Sequence, residues 1–148
     1  MKIMAIDYGE ARTGLALCDR TEYLASPIGT IRERDFADCV TKIVYTAKEY
    51  DVEAIVVGHP VNMDGSHGEK AQKCERLANM LHNILGIPVD LWDERQTTMQ
   101  AANYLNEMNV RGQKRKDVID EVAATIILES YLAYRKNSRA PEAEESDG

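Results

Sequence analysis

At 148 residues, 44% hydrophobic and 29% charged, the chain has the make-up of one soluble domain, of a size that buries about 70% of its unfolded surface. No stretch is apolar for long enough to span a membrane, and "MKIMAID" runs into Asp7 without a small-residue cleavage site, so a cytoplasmic location is expected. The net charge of −7 argues at first against a nucleic-acid partner, but four acids lie in the last eight residues, "PEAEESDG", and subtracting them leaves −3.

Taken in order, Lys2 to Asp7 and Thr13 to Asp19 read as strands joined by a turn from Gly9 to Arg12, and "LASPIGTIR" reads as a third strand. These three make an antiparallel meander. From Asp35 the period changes, and Phe36, Val40, Ile43, Ala47 and Tyr50 recur at helical spacing. "VEAIVVG" is a continuous apolar run of the kind found in a parallel strand covered on both faces. After the loop "HPVNMDGSHG", Ala71, Cys74, Leu77, Ala78 and Leu81 mark a second helix that Gly86 closes, and "IPVDLW" is the fifth strand. Thr97 or Thr98 can cap a third helix to about Met108, and a last helix spans about Lys116 to Arg135. The pattern predicts an α/β layered domain over residues 1–136, helices on both sheet faces, followed by an acidic disordered tail over 137–148. Cys18, Cys39 and Cys74 sit in apolar segments and read as core residues rather than disulfides or a zinc site.

Three acids stand where carboxylates are costly. Asp7 ends the first strand, and Asp93 with Glu94 ends the fifth. Asp120 shares the apolar stripe of the last helix with Ala123, Ala124, Ile127 and Tyr131, so it faces the sheet, whereas Asp117 and Glu121 lie off that stripe. Each has a plain alternative: Asp7 as a turn former, Asp120 as a complement to the helix dipole, Glu94 as a surface residue. Their convergence favours a divalent cation. Hard oxygen ligands suit Mg²⁺ or Mn²⁺, and two such ions can activate water and stabilise the leaving oxygen of a phosphodiester.

With those residues in view, the chain resembles the YqgF/RuvX family of Holliday junction resolvase-like nucleases in the ribonuclease H-like superfamily. "DYGEARTGLA" matches its D-x-G-x-x-R-x-G-x-A opening, "VVGHPVNMDGS" its glycine-asparagine loop, "DERQTT" its D-E-R-x-T-T and "QKRKDVIDEVAATIILESYL" its final helix. The resemblance implies a five-stranded mixed sheet in order 3-2-1-4-5 and metal-dependent phosphodiester hydrolysis. It also implies a role in maturing the 5′ end of precursor 16S rRNA, as part of ribosome assembly.

By position, Asp7, Glu94 and Asp120 become the catalytic and metal-binding carboxylates, with Asp93 or Asp64 as alternates for the second acid. In related resolvases that acid comes from the fourth strand, which here ends in Gly58 and His59. His59 stands where the family leads one to expect an apolar residue, and is read as structural before catalytic. Arg12 and Arg95 suit phosphate clamps, with Arg95 equally able to orient Asp93 or Glu94. Asn62 and its loop either touch substrate backbone or form a turn around Asp64 and Gly65. Lys114, Arg115 and Lys116 are a nucleic-acid contact or a solvated loop. Trp92 reads as core before base-stacking.

Two rival functions stay in view: an actin-like ATPase, which would need a second domain, and a noncatalytic RNA-binding module, which would not need all three acids. The expected partner is precursor rRNA or branched DNA. A monomer suffices for RNA trimming, whereas paired junction cuts call for a two-fold homodimer.

Overall fold

A computed structural model of the protein describes residues 1–96 and 112–147, with side chains at 1–96 and 119–138. The chain runs β1 (Ile3–Asp7), β2 (Arg12–Cys18), β3 (Ala25–Arg32), α1 (Phe36–Glu49), β4 (Ala54–His59), α2 (Glu69–Leu85) and β5 (Val89–Asp93). A 3-10 turn (Glu94–Gln96) follows, and α3 (Gly112–Asp147) is the last element. The sheet order is β3-β2-β1-β4-β5, as the resemblance implies. β1, β2 and β3 pair antiparallel, and β4 and β5 join parallel to them through β1.

Alternation along β1 sends Ile3 and Ala5 to one face and Met4 and Ile6 to the other, all four fully buried. The Met4 and Ile6 face is covered by α1 and α2, whose inward residues Val40, Ile43, Ala47, Ala71, Cys74, Leu77, Ala78 and Leu81 are those the helical spacing selects. Asp35 caps α1 by accepting the Asp38 N–H at 2.9 Å, and Gly86 ends α2 with a left-handed φ of 69° that an L side chain rarely adopts. The Ile3 and Ala5 face is covered by α3 through Ala124, Ile127, Leu128, Tyr131 and Leu132. All three cysteines are free and buried.

Three contacts set where α3 lies. A Cβ on Gly14 of β2 would stand 2.0 Å from the Asp120 carbonyl oxygen, so the helix backbone rests directly on that glycine. Farther along, Tyr131 donates a hydrogen bond to Asp90, and Arg135 Nε donates to Glu22 Oε1 at 2.8 Å. Trp92 packs edge-on to Tyr131 and is 8% exposed, which bears out its core reading.

The expected third helix, from Thr97 or Thr98 to about Met108, falls outside the described residues. The boundary read at residue 136 does not coincide with a helix end. Helical backbone continues through the stretch read as a disordered tail, where Ala140, Glu142, Ala143, Glu144 and Glu145 are strong helix formers despite Pro141. None of the helices, among the described residues, is long and apolar enough to cross a membrane.

Candidate active site

The site grows from the end of β1. Asp7 continues the parity of Ile3 and Ala5, so its side chain projects on the α3 face. On one side its partner in the ladder is Gly14, and on the other, one step beyond the Ile6–Val57 pair, lies Gly58 of β4. A glycine therefore flanks the carboxylate on each neighbouring strand, and an acid-bearing element fills each gap.

Gly14 admits the backbone of α3 at Asp120. Gly58 admits the carboxylate of Glu94: a Cβ there would stand 2.8 Å from Glu94 Oε1 and 2.7 Å from Ile127 Cδ1. The fourth strand offers no acid of its own, and the space its missing side chain leaves is occupied by one from beyond β5. A hydrogen bond joins the carboxyls of Asp7 and Glu94. Burial first, then the charge of Glu94 and more weakly that of Asp120, pushes the Asp7 carboxyl up to about 7 against the opposing charge of Lys70. Burial also raises Glu94, opposed by Lys70, by its hydrogen bond with Asp7 and by His59. Burial and like charge thus hold both carboxyls of this coupled pair above the ordinary carboxylate range.

The alternates for the second acid lie elsewhere. Asp93 has the parity of Leu91 and points to the opposite face, where Arg95 grips it through Nε at 3.0 and 3.1 Å and Nη2 at 2.7 Å. Asp64 accepts the N–H and hydroxyl of Ser66 at 2.9 and 2.6 Å within its own exposed loop. Both hydrogen bonds hold their carboxyls below the ordinary carboxylate range, opposite in sense to Asp7 and Glu94. Glu121 accepts from Thr30 at 3.4 Å on the β3 side, away from β1.

The arginines are committed within the protein. Arg12 Nε donates to Asp120 Oδ2 at 3.0 Å, so it orients the third acid. Arg95 couples Asp93 to the loop after β4, its Nη1 donating to the Asn62 carbonyl at 3.3 Å. Asn62 Nδ2 donates to Ser66 Oγ at 2.9 Å, and Gly65 takes a φ of 87°, so the loop holds a turn around Asp64 and Gly65. Lys114, Arg115 and Lys116 fall on the first turns of α3, a helix and not a loop, in the part whose side chains are outside the described set.

Lys70 is a charged neighbour of Asp7 and Glu94 that sequence reasoning passed over. It stands in the first turn of α2, exposed, and lowers both Asp7 and Glu94. A signal was present: Lys70 is four residues before the inward-facing Cys74, which places it on the sheet side of the helix end.

The fold is that of the ribonuclease H-like proteins. RuvC of T. thermophilus, solved with a Holliday junction substrate, is similar with a TM-score of 0.59 at 14% identity over 90% of this chain and 96% of that one. The fowlpox virus resolvase, solved with Holliday junction DNA, is similar with a TM-score of 0.55 at 14% identity over 90% and 98%.

The sequence profile of the RuvX family, described as Holliday junction resolvase, matches residues 1–134, and the chain belongs to that family of nucleases. A protein of Caldanaerobacter subterraneus subsp. tengcongensis named "Putative pre-16S rRNA nuclease" is 44% identical over 93% of this chain and 100% of its own length. One of the same name from Syntrophus aciditrophicus is 40% identical over 95% and 94%.

Proposed function

We propose that the chain is a divalent-metal-dependent nuclease that trims the 5′ end of precursor 16S rRNA during ribosome assembly. The observation that carries the reading is the half-buried Asp7 carboxyl, set between two glycines, with Glu94 hydrogen-bonded to it and the α3 backbone carrying Asp120 across Gly14. The relatives' shared name supplies the substrate class.

The donor set fits Mg²⁺ or Mn²⁺. Burial and like charge raise the carboxyls of Asp7 and Glu94, a cost that a cation between them would relieve, and every donor is a hard oxygen. Asp7, Glu94 and Asp120 would hold the metal, which when bound supplies a nucleophilic water at neutral pH and charge stabilisation at the leaving oxygen. The chain's own residues set the geometry. Asp7 sits on the rigid end of a central strand, Arg12 fixes the Asp120 carboxylate, and the Lys70 charge offsets part of the repulsion between Asp7 and Glu94. Lys114, Arg115 and Lys116 bring positive charge to the same end of α3 to meet phosphates.

The test is cleavage by one preparation of the full chain of a 5′-extended precursor 16S rRNA fragment and of a four-way DNA junction, each with Mg²⁺ and with Mn²⁺. Cutting of the RNA at the mature end by a monomer is expected. Paired symmetric nicks in the junction by a dimer, with the RNA intact, would overturn the substrate assignment. Undiminished RNA cleavage by Asp7→Asn would overturn the site.

A further inference from the structure

At the same end of the sheet, on the opposite face, three side chains point at one spot. His59 ends β4 with the parity of Ile55 and Val57, so it projects toward α2. Glu75 lies on the second turn of α2, and its Oε2 is 2.7 Å from His59 Nε2 and 2.8 Å from Nδ1 of His67, which closes the loop before α2. The two imidazole rings stand edge to face with centroids 4.9 Å apart. One ligand atom from each of the three residues falls within 4.8 Å of the others.

We infer that His59, His67 and Glu75 form a second metal site, for a borderline-soft divalent ion of the Zn²⁺ class, separate from the oxygen site at Asp7. Two imidazole nitrogens and one carboxylate oxygen are a donor set for zinc, cobalt or nickel, whereas magnesium takes oxygen donors alone. Three protein ligands leave a fourth position for water. The positions are prepared: His59 is 7% exposed on a central strand, Glu75 is held on a packed helix, and a single carboxylate oxygen already aims both rings at a common centre. A metal there would tie the start of the β4–α2 loop to its end. That loop carries the Asn62 carbonyl that receives Arg95, so the ion acts as a staple beside the nuclease site rather than as part of its chemistry.

Zn²⁺ titration of the full chain in excess Mg²⁺, followed by calorimetry and melting, tests the assignment. One equivalent of Zn²⁺ is expected to bind the parent and the Asp7→Asn variant alike and to raise the melting temperature of both. In His67→Ala, whose altered side chain is exposed, circular dichroism should show an intact fold and affinity should fall at least tenfold; Glu75→Gln should weaken it as well. Cobalt substituted for zinc should show the visible absorption of a four-coordinate site in the parent and lose it in His67→Ala. Unchanged Zn²⁺ affinity in His67→Ala overturns the site. Loss of binding in Asp7→Asn with retention in His67→Ala would assign the ion to the carboxylates and equally overturn it, whether or not the chain cleaves RNA.

Discussion

The carboxyl end of the sheet carries two polar clusters that differ in chemistry because they lie on opposite faces of the same strands. On the α3 face, Asp7, Glu94 and Asp120 bring like charges together, and burial with that repulsion raises the carboxyls of the half-buried Asp7 and Glu94. On the α2 face, His59, His67, Glu75, Asp93 and Arg95 pair acids with bases, and the carboxyls of Glu75 and Asp93 are pulled below the ordinary range by those hydrogen bonds. Residues one position apart in sequence, Asp93 and Glu94, belong to different clusters, so adjacency in the chain says little about shared function here.

The sharpest way to separate the clusters is to neutralise an acid in each. Asp7→Asn and Glu94→Gln should each lower the rate of RNA cleavage by about 10²–10³-fold, the scale of losing one electrostatic stabiliser in a reactive site. Asp93→Asn should stay within a few-fold of the parent. Single-turnover cleavage rates at saturating Mg²⁺ measure this, and equal losses at Asp93 and Glu94 would dissolve the distinction between the faces.

The two glycines beside Asp7 should break differently. Gly14→Ala drives a methyl group into the α3 backbone, which cannot yield locally, and should cost at least about 3 kcal/mol in urea unfolding. Gly58→Ala meets the ends of two side chains and should cost about 1–2 kcal/mol while displacing Glu94, so cleavage suffers more than stability. A Gly14→Ala protein as stable as the parent would show that α3 does not rest on β2.

Without metal, the acid face should make the protein less stable in base. In the folded chain Asp7 holds its proton to about 7, against an ordinary value of 3.8, so between those limits the folded state binds more protons than the unfolded state. Stability is then greatest below about pH 4 as far as this group is concerned, and declines as pH rises through 7. The fall should amount to about 2–3 kcal/mol between pH 5 and pH 8, with Glu94 acting in the same sense. Melting in chelator across that range should show a slope that Asp7→Asn flattens. A slope unchanged in the variant would mean that Asp7 is not the group responsible.

The smallest expected effect lies at the start of α3. Replacing Lys114, Arg115 and Lys116 with alanine should weaken RNA binding several-fold and reduce the slope of log affinity against log salt by about 2, since each single-strand phosphate contact contributes roughly 0.7. An unaltered slope would leave these residues as a solvated helix surface.

Much of the architecture was legible because the signals are local. Short apolar runs bounded by turn residues mark β1 to β5, and period-3.6 spacing selects the inward residues of α2 without error, from Ala71 to Leu81. The same rules place Asp7 at a strand end and Asp120 on an inward helix face. Trp92 read as core and residue 94 shares its parity, but only the structure shows that this core face is the one under α3. The choice between Asp93 and Glu94 stayed open because the strand stops at Asp93 and a 3-10 turn follows, where alternation no longer holds.

What the sequence by itself determined was therefore the family, the order of the elements and the inward faces of the helices, since those follow from patterns a few residues long. Tertiary structure decided which faces meet. That Gly58 makes room for Glu94, that Arg12 serves Asp120, that Lys70 faces the acids and that His59, His67 and Glu75 converge all depend on distances between separate elements. Packing sets those distances through close contact of backbone and side chain, which no local period records.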